Sequence, residues 1–496
     1  MTKKLTGKLR LNSGKSGLVD EGEDGPLDLF YLDLALPCRS FLVEHKVAEP
    51  GKVSVTAEFL LRFVRAVEGC TEEMAQSFFG YSRREMAFVL NEVEEAAYLY
   101  RFDGRLHLTT TGSLLFRPGE DEPMIYDVER KTVRAGFDMI SMAPVVRQHL
   151  SFFDRQLPEV PLLDPEHASS ATKRVPSAFK RFFRDFGPRE QLAVNARRML
   201  YSVDSVAPDE RFSTLIRVKL ISSGLKPTSA EIDLSEWHTE YELADREPVV
   251  RSVGQMVERL QVSKRSDDAQ AYELLTHLAP EYLKEWMRRD GLSLERYFKH
   301  AFNTKGDIRA DRQTTSLIGS LFTPENARRL FEATSYGLRR VRRTADHFFW
   351  VVPSVPLWGS TSILADAVDT MVERLSIGDD ARLQDRPVEA VGLSVGKPDP
   401  WIRAAFDNVR QSGRLVLPNG FEMFVVPGVV AAAVVHAPIG ASTGLPVPLG
   451  LVSFDELVVQ RATELLYDRA EAWGLDGRYC KSLRHNDAPH RKPEIS

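Results

Sequence analysis

Cysteine is scarce in this 496-residue chain: Cys38, Cys70 and Cys480 stand far apart and form no CxxC pair. That excludes a disulfide framework and a cysteine-rich zinc site, and it fits a reducing compartment, so a cytoplasmic location is expected. Long apolar runs are missing too. The longest, Phe424 to Val435, is interrupted by Pro427 and Gly428 and falls short of the roughly 18 residues a membrane span requires. Residues 1 to 14 carry charge without an apolar leader core, so neither secretion nor a membrane partner is expected. Neither sign of charge dominates: 65 Lys plus Arg face 70 Asp plus Glu, for a net charge of -5, so any nucleic-acid signal must be local. No segment repeats at a solenoid or propeller period. GxxxxGK[ST], GxGxxG after a strand, HExxH and GxSxG are absent, so ATPase, dinucleotide, zinc-protease and hydrolase readings lack their usual warrants. No metal ligand set or cofactor is expected.

What is present is a foldable composition, 43% hydrophobic and 27% charged, long enough for about three or four domains. The clearest organisation lies between residues 54 and 116. Helical patterns cover Thr56 to Glu68, Thr71 to Phe79 and Ser82 to Ala97, and Asp103-Gly104 joins the β-prone runs Tyr98 to Phe102 and Arg105 to Thr109. Asp-Gly between two such runs is a strong hairpin signal. Three helices and a hairpin, followed by Leu108, Thr109, Thr110, Thr111 and Gly112, resemble the winged helix-turn-helix family. The resemblance implies a third helix in the major groove of DNA and a wing against the backbone. It puts Arg83 and Arg84 at the start of that helix, and Arg101 and Arg105 beside the wing tip. A helix amino terminus bearing two arginines suits a phosphate. Glu85, Glu92, Glu94 and Glu95 on the same helix oppose one, and leave open a protein-docking role for the same unit.

Charge concentrates further on. Between Ala171 and Leu220, eleven cations face five carboxylates. Lys173, Arg174, Lys180, Arg181, Arg184, Arg197 and Arg198 are the candidate phosphate contacts, with phenylalanines interleaved at 179, 182 and 183 for base stacking. The alternative is an amphipathic helix whose phenylalanines are core and whose cations are its solvated face. Arg339, Arg340, Arg342 and Arg343 make a second cluster.

The carboxy-terminal third alternates strands and helices, as an α/β layer domain does. His436 ends a strand there, and Gly450 and Ser453 follow at fourteen and seventeen residues. That spacing is similar to one half of a phospholipase D-type phosphodiesterase, H-x-K-x4-D-x6-G-S-x-N. The resemblance implies His436 as a nucleophile, with Ser453 in the place of the asparagine. Pro438 stands where that pattern has Lys, Thr443 where it has Asp and Leu451 where it has Ser. A third pattern, Asp33 with Glu44 and Lys46, echoes the D...ExK of restriction-type nucleases, where carboxylates hold Mg2+.

The expected fold is therefore multi-domain, α/β and α+β. Residues 1-53 form an extension with an entry strand at Phe41 to Val47, and 54-120 the winged helix. Residues 121-171 are a helical connector (Val128 to Gln156) and linker, and 172-343 a basic mixed region with a helix from Pro176 to Met199. Residues 344-475 make the α/β domain, with a helix at Asp399 to Ser412, and 476-496 a disordered tail holding His485 and His490. The expected function is a nucleic-acid-binding component, with duplex DNA and other protein subunits as partners. A His436 phosphodiesterase and a protein scaffold are the alternatives. The pairing of a winged helix with a degenerate phosphodiesterase also resembles accessory proteins of bacterial mobile-element and antiphage defence operons.

Overall fold

The computed structural model describes residues 26–50, 54–116, 118, 123, 126–186, 199–224, 226–237, 246–304, 306–341, 345–376, 388–475 and 477–484. In chain order the first elements are β1 (Pro26–Pro50), α1 (Val55–Ala66), α2 (Glu72–Phe79), α3 (Arg83–Glu95), β2 (Leu99–Phe102), β3 (Arg105–Leu108) and α4 (Thr110–Leu114). Then come β4 (Tyr126–Asp138), α5 (Pro165–Ser169), α6 (Ala171–Arg181), β5 (Met199–Ser223), β6 (Lys226–Asp233), α7 (Glu247–Glu258), α8 (Asp268–Leu278) and α9 (Leu294–Thr304). The last are β7 (Thr314–Ile318), α10 (Pro324–Val341), β8 (His347–Val351), α11 (Ser362–Ser376), β9 (Glu389–Val395), α12 (Pro400–Ala405), β10 (Asn408–Ser412), β11 (Phe421–Val426), β12 (Val430–Ala437), β13 (Val447–Ser453), α13 (Glu456–Tyr467) and α14 (Gly477–Arg484).

The long strand β1 organises the molecule. Its 25 residues extend over about 80 Å at ~3.3 Å per residue. It lies between β4 and β5, all antiparallel, in a sheet of order β4-β1-β5-β6. In its first half both faces are covered, and Leu29, Leu32, Leu34 and Leu36 are buried in the main core. In its second half the burial alternates. Phe41 and Val43 face Val175 and Phe179 of α6 in a separate small core, while Leu42 and Glu44 are exposed. This second half, with β4, the start of β5 and α6, is an arm. The last pair of the β1–β4 ladder, Pro50 with Tyr126, brings together the two ends of an inserted head, residues 54–116. The head has its own core of Leu60, Leu61, Met86, Leu90, Val93 and Leu106.

The body is built on a seven-stranded sheet of order β7-β13-β12-β11-β8-β9-β10, in which β8, β9 and β10 run parallel. Both faces are covered, which is why its strands read as continuous apolar runs. Ala431, Ala433 and Val435 join the core under α7, α8, α9 and α13. Ala432 and Val434 join the core under α10, α11 and α12. The buried Asp33 carboxylate links the long sheet to the body: it accepts from Arg217 Nε of the neighbouring strand at 2.7 Å and Nη2 at 3.0 Å, and from Thr361 Oγ1 at 3.0 Å and the Ser362 N–H at 2.7 Å in the body. The carboxylate thus sits at the amino terminus of α11, where the helix dipole favours it.

The mixed α and β content agrees with the sequence, and several local expectations are corrected. The expected helical connector from Val128 is strand β4, whose Val133, Ala135 and Phe137 point inward at period two, followed by irregular chain. The sheet ladders therefore cross the boundaries expected at residues 53, 120 and 171. The basic helix begins at Ala171 rather than at Pro176, and Met199 already opens β5. Asp399 to Ser412 divides into α12 and β10. The tail carries α14, with Tyr479 buried against His347 and Phe349. Arg197, Arg198, Arg342, Arg343, His485, His490 and the chain beyond Arg484 lie outside the described residues.

Candidate nucleic-acid interface and the His436 cluster

The head is set up by its caps. Ser54, Thr71 and Ser82 each accept a backbone N–H at a helix start, and Gly80 closes α2 in the left-handed conformation (φ 68°). Asp103 and Gly104 both take positive φ, 49° and 67°, as a two-residue hairpin turn requires. A Cβ at Gly112 would come within 2.0 Å of the Tyr98 carbonyl oxygen, so the chain leaving the hairpin must be glycine there.

All four head arginines singled out are exposed, Arg83 and Arg84 at the start of α3, but the other two are hydrogen-bonded to groups of the head itself. Arg101 Nε donates to Glu94 Oε1 at 2.7 Å and Nη1 to Glu72 Oε2 at 3.2 Å. Arg105 Nη1 donates to the Gly69 carbonyl at 2.8 Å. The α3 amino terminus is also occupied, since the Glu85 carboxylate accepts from the Ser82 N–H at 2.8 Å, and these bonds hold its pKa below the usual carboxylate value. Over residues 54–116, six arginines and no lysine face nine carboxylates, so the head is acidic as a whole. Large apolar side chains are also left in the open on the head: Phe78, Phe88, Phe102 and Leu114 are exposed, Phe88 by 74% and Leu114 by 79%.

Helix α6 has the opposite character. Val175, Phe179 and Phe182 are buried against the arm, and Lys173, Ser177, Lys180 and Arg181 lie on the outward side, with Arg184 exposed just past the helix end. From Ala171 to Phe186 there are five cations and a single carboxylate, Asp185. Among the described residues no ion pair holds Lys173, Lys180 or Arg184. Arg174 does not join this face. It is half-buried, with Nη1 enclosed, and burial lowers its pKa against the opposing pull of Asp138 and Asp164. The phenylalanines are core, as the amphipathic alternative expected, and Phe179 and Phe183 clasp His45 at 4.9 and 5.8 Å between ring centroids. Base stacking on Phe179 or Phe182 is therefore excluded. In the second cluster, Arg340 donates to the carbonyls of Phe454 and Gly428, and Arg339 lies over Tyr336.

His436 sits at the end of β12, but its side chain and that of Glu422 are fully buried. Its Nε2 donates to Glu422 Oε2 at 2.6 Å. Three more donors reach the same carboxylate: Trp350 Nε1 at 3.1 Å, Trp358 Nε1 at 3.2 Å and the Leu321 N–H at 3.3 Å. A buried carboxylate must be paired in this way to be tolerated. The ring is thus a structural donor without an approach for a phosphodiester, and the expected nucleophile is corrected. Glu422, which the motif comparison passed over, was visible as a lone carboxylate inside an apolar strand run. Ser453 is buried too, its Oγ 2.7 Å from Thr314 Oγ1 and accepting from the Asp455 N–H, so it pins β7 to β13. Gly450 is required by packing, because a Cβ there would lie 1.9 Å from the Ala433 oxygen.

The D...ExK reading fails on geometry. Asp33 is consumed by Arg217, Glu44 accepts from Ser205 Oγ at 2.9 Å, and Lys46 pairs with Asp204 at 3.6 Å. Glu44 also lies about 36 Å along the strand from Asp33. Among the described residues no group of three or more His, Cys, Asp or Glu could hold a metal ion, and no helix is long and apolar enough to cross a membrane. No protein-family model matches this chain, and no curated protein matches it.

Proposed function

We propose that this chain is a nucleic-acid-binding subunit of a larger assembly, and that the phosphate backbone lies along α6 and not along the head. One observation carries this reading: Lys173, Lys180, Arg181 and Arg184 are exposed on the outward side of the arm, in a stretch with one carboxylate. Lys173 and Lys180 are separated by about 10 Å of helix at ~1.5 Å per residue, a span of about three base pairs. Contacts of this kind bind duplex without reading sequence. The exposed phenylalanines of the head favour a protein neighbour there, which accounts for the assembly part of the reading.

A mobility-shift titration of labelled duplex and single-stranded DNA tests it. Salt-sensitive binding of the wild type, lost when Lys173, Lys180 and Arg184 are reversed to Glu, supports the reading. Unchanged binding by that variant sinks it.

A further inference from the structure

Beyond the nucleic-acid reading, the body contains a cleft of 800 Å³ formed by the first half of α8, the segment Met287–Leu294 and the loop 437–442 that follows β12. A second cavity, of 500 Å³, shares Glu295 and Gly440 with it. Asp268, Glu273, Asp290 and Glu295 line the larger cleft with a single opposing cation, Lys264. Asp268 is 3% exposed; its Oδ2 accepts from the Arg265 N–H at 2.8 Å, whereas its Oδ1 is buried without a hydrogen-bond partner. One turn along the same helix face, Tyr272 Oη is also buried and unpartnered. Both side chains line the cleft, and a donor supplied there would relieve a cost on the order of 1–3 kcal/mol for each unpaired atom.

The spread of the charges selects among donors. The four carboxylates share one cleft, yet among the described residues no three His, Cys, Asp or Glu converge closely enough to hold a metal ion. A compact divalent ion cannot satisfy carboxylates set apart in this way, whereas a flexible molecule with several separated ammonium groups can. Met287, Leu292 and Pro438 supply apolar wall between the charges, suited to the methylene segments of such a molecule. We infer that this cleft binds a linear polyamine, with one ammonium group on Asp268 Oδ1 and another toward Glu295.

Calorimetric titration of nucleic-acid-free, full-length protein with spermidine tests this. Saturable one-site binding is expected, at least tenfold weaker in Asp268→Asn and in Glu295→Gln, and weaker for N1-acetylspermidine, which lacks one terminal charge. Glu295 is exposed, so its substitution leaves folding out of the question. The inference is overturned if spermidine shows no saturable binding, if Glu295→Gln binds it as the wild type does, or if Mg2+ at equal ionic strength displaces it as effectively as unlabelled polyamine.

Discussion

The head and α6 both carry arginines that a charge scan would score alike, and the structure treats them oppositely. In the head, Arg101 and Arg105 are taken up by Glu94, Glu72 and the Gly69 carbonyl, and Glu85 fills the helix amino terminus. On α6, the buried side of the helix is apolar, and among the described residues Lys173, Lys180 and the nearby Arg184 are held by no ion pair. The difference teaches that the count of cations in a segment does not give the count left unpaired after folding, and the proposed interface rests on the latter. His436 and Asp268 each keep one bonded and one unpaired atom, but His436 is bonded to the buried Glu422 carboxylate, whereas Asp268 borders a cleft.

That contrast breaks most visibly where an engaged group is removed. His436→Ala takes one donor from the buried Glu422 carboxylate, and a loss of about 3 to 5 kcal/mol in unfolding free energy is expected from denaturant titration. An unchanged midpoint would return His436 to the list of groups held for chemistry. Reversal of Lys173, Lys180 and Arg184 comes next: duplex affinity should fall by roughly 100-fold at moderate salt with the unfolding midpoint unmoved, since three phosphate contacts become repulsions.

How much of this was legible in the sequence follows the range of the interactions. Local signals succeeded: the Asp103-Gly104 turn, the helix starts near Thr71 and Ser82, and the apolar side of α6 are written within a few residues. The arm was misread because β4 is highly charged between Asp127 and Arg134, and its inward period-two set is confined to Val133, Ala135 and Phe137. Non-local pairings were invisible. Nothing near His436 announces Glu422, Trp350 and Trp358, and nothing near Asp33 announces Arg217 or Thr361. The spacing from His436 through Gly450 to Ser453 looked catalytic because three separate packing demands fell at those positions.

A left-over carboxylate gives a pH signature opposite to that of an engaged one. Burial raises the pKa of Asp268, so the folded protein holds that proton more tightly than the unfolded chain does. Its contribution to stability therefore grows as pH falls through the raised value and is least above it. Without polyamine, Asp268→Asn should melt higher than the wild type at pH 7, and the gap should close on acidification; a lower melting point at pH 7 would mark Asp268 as structural. Arg101→Ala should have a smaller effect. It costs the head up to about 1 kcal/mol, read from the hydrogen exchange of its amides, and leaves duplex affinity within about twofold.

The most direct test compares salt dependence in two variants: the Lys173, Lys180 and Arg184 triple reversal, and Arg83→Glu with Arg84→Glu. The logarithm of duplex affinity against the logarithm of salt concentration should lose roughly 2 to 3 units of slope in the first, at about 0.9 per phosphate contact, and keep the wild-type slope in the second. A slope lost in the Arg83 and Arg84 variant and kept in the α6 variant would contradict the account and place the nucleic acid on the head.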